Sequence, residues 1–192
     1  MILLKDLLTE ADINGRNVQV YLDADGVLAD LDSGFKEISG GILPHEVADK
    51  KCNGDKKLAS KLFWKLIDKK GARFWSELKP MPDAMVLWSF FKQYHPIILT
   101  AGQGSEILQG KTEWCHKHLG SNVTPVLAQS GVKKPNYITN DPDTVHVLID
   151  DTQKNIDAWN NPSARRVAIH HKNAAESIRT FSELYLKDDN TA

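Results

Sequence analysis

Short apolar runs alternate with longer amphipathic ones along this chain. Val18-Gln19-Val20-Tyr21-Leu22 is rich in β-branched and aromatic residues and ends at an acidic turn containing Gly26, so it predicts a first strand. Residues 96–100 predict a second strand opened by Pro96, a position where the missing N–H is tolerated. Residues 123–127, interrupted by Pro125, predict a third; residues 145–149 and 166–170 predict a fourth and a fifth. Helical patterns lie between them. One opens at Pro82 and Asp83 and runs to Tyr94; another runs from Ser105 to a stop at Gly120. A third spans residues 152–159, and Asn173, three residues before Glu176, opens a last helix reaching about Leu186. Strands separated by helices predict an α/β fold: a Rossmann-like parallel sheet of about five strands with helices on both faces. Functional groups then belong at the carboxyl ends of the strands.

The interval between the first two strands is too long for a plain crossover. Within it Leu58, Leu62, Phe63, Leu66 and Ile67 form an apolar stripe at helical spacing. Residues 35–76 are therefore expected to form a small helical cap, inserted in a core made of residues 1–34 and 77–192. Residues 50–73 carry nine basic side chains against Asp55 and Asp68, and Lys57, Lys61, Lys65 and Lys69 recur every four residues as one ridge. Such a ridge is commonly a solvated helix face, and it can also draw phosphates towards a crevice. Trp64, Trp88, Trp114 and Trp159 lie in helical patterns and are expected to be core or half-buried packing.

Bulk composition narrows the class. The 192 residues suit one α/β domain with an insertion, and 41% hydrophobic with 26% charged residues is globular. A net charge of −1 argues against wholesale attraction to nucleic acid or membranes. Cys52 and Cys115 are far apart and in no metal-type spacing, which fits a reducing compartment. The apolar start, residues 1–8, is broken by Lys5 and Asp6 and has no cleavage-site pattern. With no uncharged apolar run near the ~20 residues of a membrane span, a cytoplasmic protein with no membrane partner is expected.

Candidate chemistry gathers at two strand ends. Asp23 and Asp25 flank Ala24 after the first strand, where Gly26 permits a turn; Asp150 and Asp151 follow the fourth. One carboxylate of such a set can attack phosphorus while another handles the leaving group's proton. So many acids repel unless a cation neutralises them, and Mg²⁺ suits oxygen ligands that keep room for a phosphate. Thr100 can offer a hydroxyl to the phosphate, and Lys134 or its neighbour Lys133 a positive charge. Either acidic pair alone reads as turn and cap residues; both in one register favour the functional reading. His116, His118, His170 and His171 have no zinc-type spacing and are rejected as ligands, with only His170, at a strand end, kept as a remote alternative.

With these residues in place, the chain resembles the haloacid dehalogenase-like (HAD) phosphatase superfamily. Asp23-Ala24-Asp25-Gly26-Val27-Leu28-Ala29-Asp30 is similar to its first motif, Thr100 to the second, Lys134 to the third and Asp150-Asp151 to the fourth. The resemblance implies Asp23 as nucleophile and metal ligand, and Asp25 as acid, then base, lending its backbone carbonyl to the metal. It also implies Asp150 and Asp151 around Mg²⁺, and Thr100 with the Ala101 amide on the phosphate. Within the superfamily the segment Phe74-Trp75-Ser76-Glu77-Leu78-Lys79-Pro80-Met81-Pro82 is most similar to the 5'(3')-deoxyribonucleotidases, with departures at Leu31 and Asp83. That likeness implies Phe74 and Trp75 against a nucleobase and a nucleoside monophosphate as substrate. The alternatives are a phosphatase of nucleic-acid ends, favoured by the basic cap, and a non-catalytic binding module that keeps the fold.

Overall fold

The structure, a computed structural model, describes residues 11–129, 131–138 and 141–186. The apolar start, residues 1–8, expected above to carry no cleavage-site pattern, lies outside them. Strands β1 (Ala11–Ile13) and β2 (Arg16–Leu22) form a hairpin around Asn14 and Gly15, both at positive φ. Asn-Gly is the two-residue turn whose twist matches that of its strands. The sequence reading began at Val18 and missed β1, although this dipeptide announced it.

The remaining strands are β3 (Ile97–Ala101), β4 (Val126–Ala128), β5 (Thr144–Asp150) and β6 (Arg166–His170). They order as β4-β3-β2-β5-β6, all parallel, with β1 antiparallel on the N-terminal half of β2. The expected parallel sheet flanked by helices is thus present, enlarged to six strands by β1. β4 is displaced from residues 123–127 because Pro125 has no N–H for the ladder and pairing starts after it. Both faces of the central strands are buried. Val18, Val20, Leu22, Val147 and Ile149 join one apolar cluster, while Tyr21, Leu99, Leu148 and Trp159 form the other. This explains the near-continuous apolar runs of β2 and β5.

Strand order reverses at β2: the chain builds β3 and β4 on one side, then crosses to β5 and β6 on the other. The crevice beyond the carboxyl ends of β2 and β5 is therefore the topological switch point, the usual ligand position in open α/β sheets.

Helices α1 (Leu31–Ser39), α2 (Val47–Lys51), α3 (Lys56–Asp68) and α4 (Ala72–Ser76) fill the interval after β2, and α5 (Ala84–Phe91), α6 (Ser105–His118), α7 (Gln153–Trp159) and α8 (Ala174–Tyr185) complete the set. Side chains cap the N-termini of three of them. Asp30 accepts from the Ser33 amide at α1, Asp55 from Lys57 and Leu58 at α3, and Asn173 from Glu176 at α8. The helix expected over residues 82–94 is α5 followed by a 3₁₀ turn at Lys92–Tyr94. No described helix is long and apolar enough to cross a membrane. Phe35, Val47, Ile67, Phe74 and Trp75 belong to the same buried cluster as Val20 and Leu22, so the inserted helices share the core of the sheet.

α4 and α6 touch at Gly110. A Cβ there would lie 2.1 Å from the Ala72 carbonyl oxygen and 2.8 Å from the Trp75 Cβ. Gly110→Ala gains up to about 1 kcal/mol of helix propensity. Backbone oxygen cannot step aside, however, and overpacking costs about 1–3 kcal/mol. The variant is expected to be net destabilised, with a lower urea midpoint at an unchanged slope; a raised midpoint would show that the helices can part freely.

Candidate active site

The end of β2 is tied to β5 by the Asp23 amide, which donates to the Ile149 carbonyl at 3.0 Å. The chain then coils tightly: the Leu28 and Ala29 amides donate to the Ala24 carbonyl, and Gly26 to Ala29. Gly26 has φ +77°, and a Cβ on it would stand 2.3 Å from Asp151 Oδ2. Glycine is therefore needed for the turn and for the approach of a carboxylate from β5.

Asp23 is 6% exposed. Its Oδ1 accepts from the Ala24 amide at 2.8 Å and lies 3.0 Å from Lys134 Nζ. The same ammonium donates to Asp150 Oδ2 at 2.6 Å. Asp150 is fully buried and well bonded: Oδ1 accepts from the Thr152 amide and Asn155, and Oδ2 from Asn155 and Lys134. Asp151 is exposed and accepts from the Thr152 hydroxyl at 3.3 Å. One oxygen from each of Asp23, Asp150 and Asp151 lies within 4.8 Å of the others, and this is the group of described residues able to hold a metal ion. Lys134 is buried on a 3₁₀ turn before β5, whereas Lys133 is exposed.

A second cation was not foreseen. Lys111 of α6, only 4% exposed, donates to Asp25 Oδ2 and to Thr100 Oγ1, each at 2.6 Å, and to the Ala101 carbonyl at 3.1 Å. Its Nζ also sits 4.6 Å from the centre of the Trp75 ring. The signal was present in the sequence: half-buried Ile107 and buried Gly110, Lys111, Trp114 and Cys115 make one helical stripe with a lysine inside it. Lysine is almost never fully buried without a partner. Asp25 Oδ1, on the other side of that carboxylate, is buried and has no hydrogen-bond partner among the described residues.

Charge accounts for the proton affinities. Burial raises Asp25, with Lys111 opposing and Asp23 adding to it. Burial and the Asp23 charge raise Asp150 against the pull of Lys134. Asp151 is pushed up to about 6 by desolvation, then by Asp23 and Asp150. Burial alone would lower Lys134, but Asp23 and Asp150 outweigh it and hold the ammonium charged. On the side of the acidic cluster three carboxylates, Asp23, Asp150 and Asp151, against the one ammonium of Lys134 leave two negative charges, which one divalent cation would balance.

A pH dependence follows. A carboxyl group whose affinity for protons is raised in the folded state takes one up as pH falls from 7 through about 6, towards the ordinary value of 3.8. That proton competes with a cation for the same oxygens. Stabilisation by Mg²⁺ should therefore shrink between pH 7 and pH 5, measured as the difference between denaturation curves with Mg²⁺ and with EDTA. His146 and His171, which burial depresses, titrate in both series and cancel. A difference that stays constant with pH would place the cation elsewhere.

Two clefts meet at this point. One, of about 380 Å³, is lined by Asp23, Asp25, Gly26, Asp30, Ala101 and Asp151 among others. The second, of about 720 Å³, opens from Asp25 and Ala101 and is walled by Leu31, Phe63, Trp64, Trp75 and Ile107. Of the predicted aromatic pair, Trp75 faces this cleft. Phe74 packs edge-on against Trp75 at 5.0 Å, inside the core and outside the cleft's lining. Trp114 and Trp159 are buried and Trp88 is half-buried, as expected, but Trp64 is 40% exposed, which corrects its reading as packing. The histidines lie outside the acidic cluster: His171 bonds Ser177, and His170 reaches the Asp151 carbonyl at 2.8 Å.

No protein-family model matches the sequence, and no curated protein matches it significantly. Solved structures do. A predicted phosphatase from Clostridium acetobutylicum superposes with a TM-score of 0.51 at 15% identity, covering 86% of this chain and 90% of that one. A HAD-superfamily hydrolase from Ehrlichia chaffeensis gives 0.45 at 14% identity, covering 86% and 96%. A hydrolase from Streptococcus pneumoniae TIGR4 gives 0.47 at 12%, covering 86% and 96%. At these identities the likeness is one of fold, a parallel α/β sheet flanked by helices.

Proposed function

We propose that this protein is a Mg²⁺-dependent phosphomonoester hydrolase acting through an aspartyl-phosphate intermediate, with a nucleotide as substrate. The observation that carries this reading is the meeting of Asp23, Asp150 and Asp151 within 4.8 Å at the switch point, beside two buried lysines. An oxygen-only donor set with two uncompensated negative charges fits Mg²⁺. When bound, the cation offsets charge on the phosphoryl group. Asp23 and Asp151 are the residues with oxygens to give it, while Asp150, saturated by Lys134, Asn155 and Thr152, holds the arrangement in place.

Asp23 Oδ1 accepts from the Ala24 amide and lies 3.0 Å from Lys134; one oxygen of this carboxylate would go to the cation and the other would attack phosphorus. As the bond to the leaving oxygen breaks, that oxygen takes a proton from Asp25, whose unpartnered Oδ1 has room for it. Asp25 then accepts a proton from the water that attacks the phosphorus of aspartyl phosphate, releasing inorganic phosphate and restoring Asp23. The Thr100 oxygen accepts from Lys111, so its own O–H is free to donate to the phosphate, together with the Ala101 amide. The 720 Å³ cleft lies inside the range of about 300–1,000 Å³ of small-molecule sites, and Trp75, Phe63 and Trp64 are among its lining. The helical segment 35–76 serves as the cap over it.

The test is a screen of phosphorylated metabolites with Mg²⁺ and with EDTA. Nucleoside monophosphates should be turned over fastest, with activity lost on chelation. Preference for sugar or amino-acid phosphates would remove the nucleotide part; activity indifferent to EDTA would remove the metal.

A further inference from the structure

The active-site cleft continues beyond Trp64. This indole, held edge-on by Phe63 at 5.2 Å, borders both the 720 Å³ cleft and a shallower one of about 650 Å³ on the outer face of α3. Lys61, Lys65 and Lys69 line the shallower cleft with Trp64, and Asp68 joins Trp64 at the boundary. Among the described residues no carboxylate pairs with any of these three lysines. The one acid lining this cleft, Asp68, stands three residues from Lys65 without pairing with it, so the row keeps a net positive charge beside an exposed ring. Successive lysines stand about 6 Å apart along the helix axis. That spacing is comparable with the step between phosphates of an extended strand.

Building on the nucleotide reading above, we propose that the substrate is a terminally phosphorylated single-stranded nucleic acid. Its last nucleotide occupies the active-site cleft, the next base stacks on Trp64, and the following phosphates run along Lys61, Lys65 and Lys69. Charge complementarity selects this occupant. A mononucleotide whose one phosphate is engaged at Asp23 has no charge left for the ridge, whereas a strand supplies one phosphate per step. Stacking on a single indole is indifferent to base identity, so the site reads an end and not a sequence.

The experiment compares kcat/KM on thymidine 3'- and 5'-monophosphate with that on hexathymidylate phosphorylated at the 3' or the 5' end. The strand is expected to be favoured at least tenfold at low salt, and the two ends identify the polarity. Three phosphate contacts at about 0.7 each give a slope of about −2 for log kcat/KM against log salt. In Lys61→Ser/Lys65→Ser the ratio of strand to mononucleotide should fall towards one and the slope should flatten. Equal kcat/KM on strand and mononucleotide overturns the proposal and leaves the nucleotide reading standing, as does a preference that survives the double substitution. Turnover of neither substrate overturns both.

Discussion

Asp23→Asn should abolish turnover, lowering kcat by at least about 10⁴-fold, while leaving the fold in place. Loss of the nucleophile in a covalent mechanism costs about 10⁶-fold in the best-studied case. For the proposed phosphomonoester hydrolysis the uncatalysed reaction is among the slowest known, so no residual route compensates. The structure explains why stability should not follow activity. Asparagine keeps an Oδ1 for the Ala24 amide, and Lys134 keeps Asp150 at 2.6 Å. Asp23 is also one of the charges raising Asp25, Asp150 and Asp151, so removing it relieves repulsion. The metal-free variant should lie within about 1 kcal/mol of wild type, or above it, in urea denaturation. A non-catalytic binding module predicts the reverse on the functional side, with function intact in the variant. Turnover within tenfold of wild type would remove Asp23 as nucleophile.

The two lysines divide the site's carboxylates between tasks. Lys134 is shared by Asp23 and Asp150, on the side where a cation would sit, and Lys111 is reserved for Asp25 and Thr100. Titratable groups held in separate environments are how one crevice keeps a nucleophile ionised and a second carboxyl able to pass a proton. Asp25 is the one whose second oxygen is buried with no hydrogen-bond partner among the described residues.

How much of this the sequence disclosed depends on whether strand period alone determined it. Asp23 and Asp150 directly follow or end apolar runs, so locating the strands located them, and the parallel topology supplied their meeting. Lys134 could not be separated from Lys133 because neighbouring residues on a turn differ only in direction, which packing decides. Lys111 was legible in principle as a charge in the buried stripe of α6, but its partners Asp25 and Thr100 lie on other strands' ends. Phe74 and Trp75 show the same limit: adjacent in sequence, they point to core and cleft respectively, and α4 is too short for periodicity to say which. The β1 hairpin was legible from Asn14-Gly15 and was passed over because β1 is only three residues long.

Lys134→Met should act on stability as strongly as Asp23→Asn acts on turnover, and with the opposite electrostatic sign. The ammonium is 4% exposed between Asp23 and a fully buried Asp150. Removing one partner of a buried ion pair costs about 3–5 kcal/mol, because the abandoned charge has no water to return to. Methionine fills the space without replacing the charge, so the loss reports electrostatics and not a cavity. Turnover should fall by about 10²–10³-fold, the usual cost of losing one charged donor at a reacting group. The discriminating measurement is the effect of Mg²⁺ on the melting temperature. With three uncompensated negative charges in place of two, the variant's site should bind the cation more tightly. A tenfold gain in affinity adds about 1.4 kcal/mol of stabilisation by mass action. The Mg²⁺-induced rise should accordingly be larger in Lys134→Met than in wild type, and smaller again when Asp23→Asn is added, because that change removes the repulsion the lysine had been offsetting. If Lys134 only packs, both proteins will gain equally from Mg²⁺ and the double substitution will be additive.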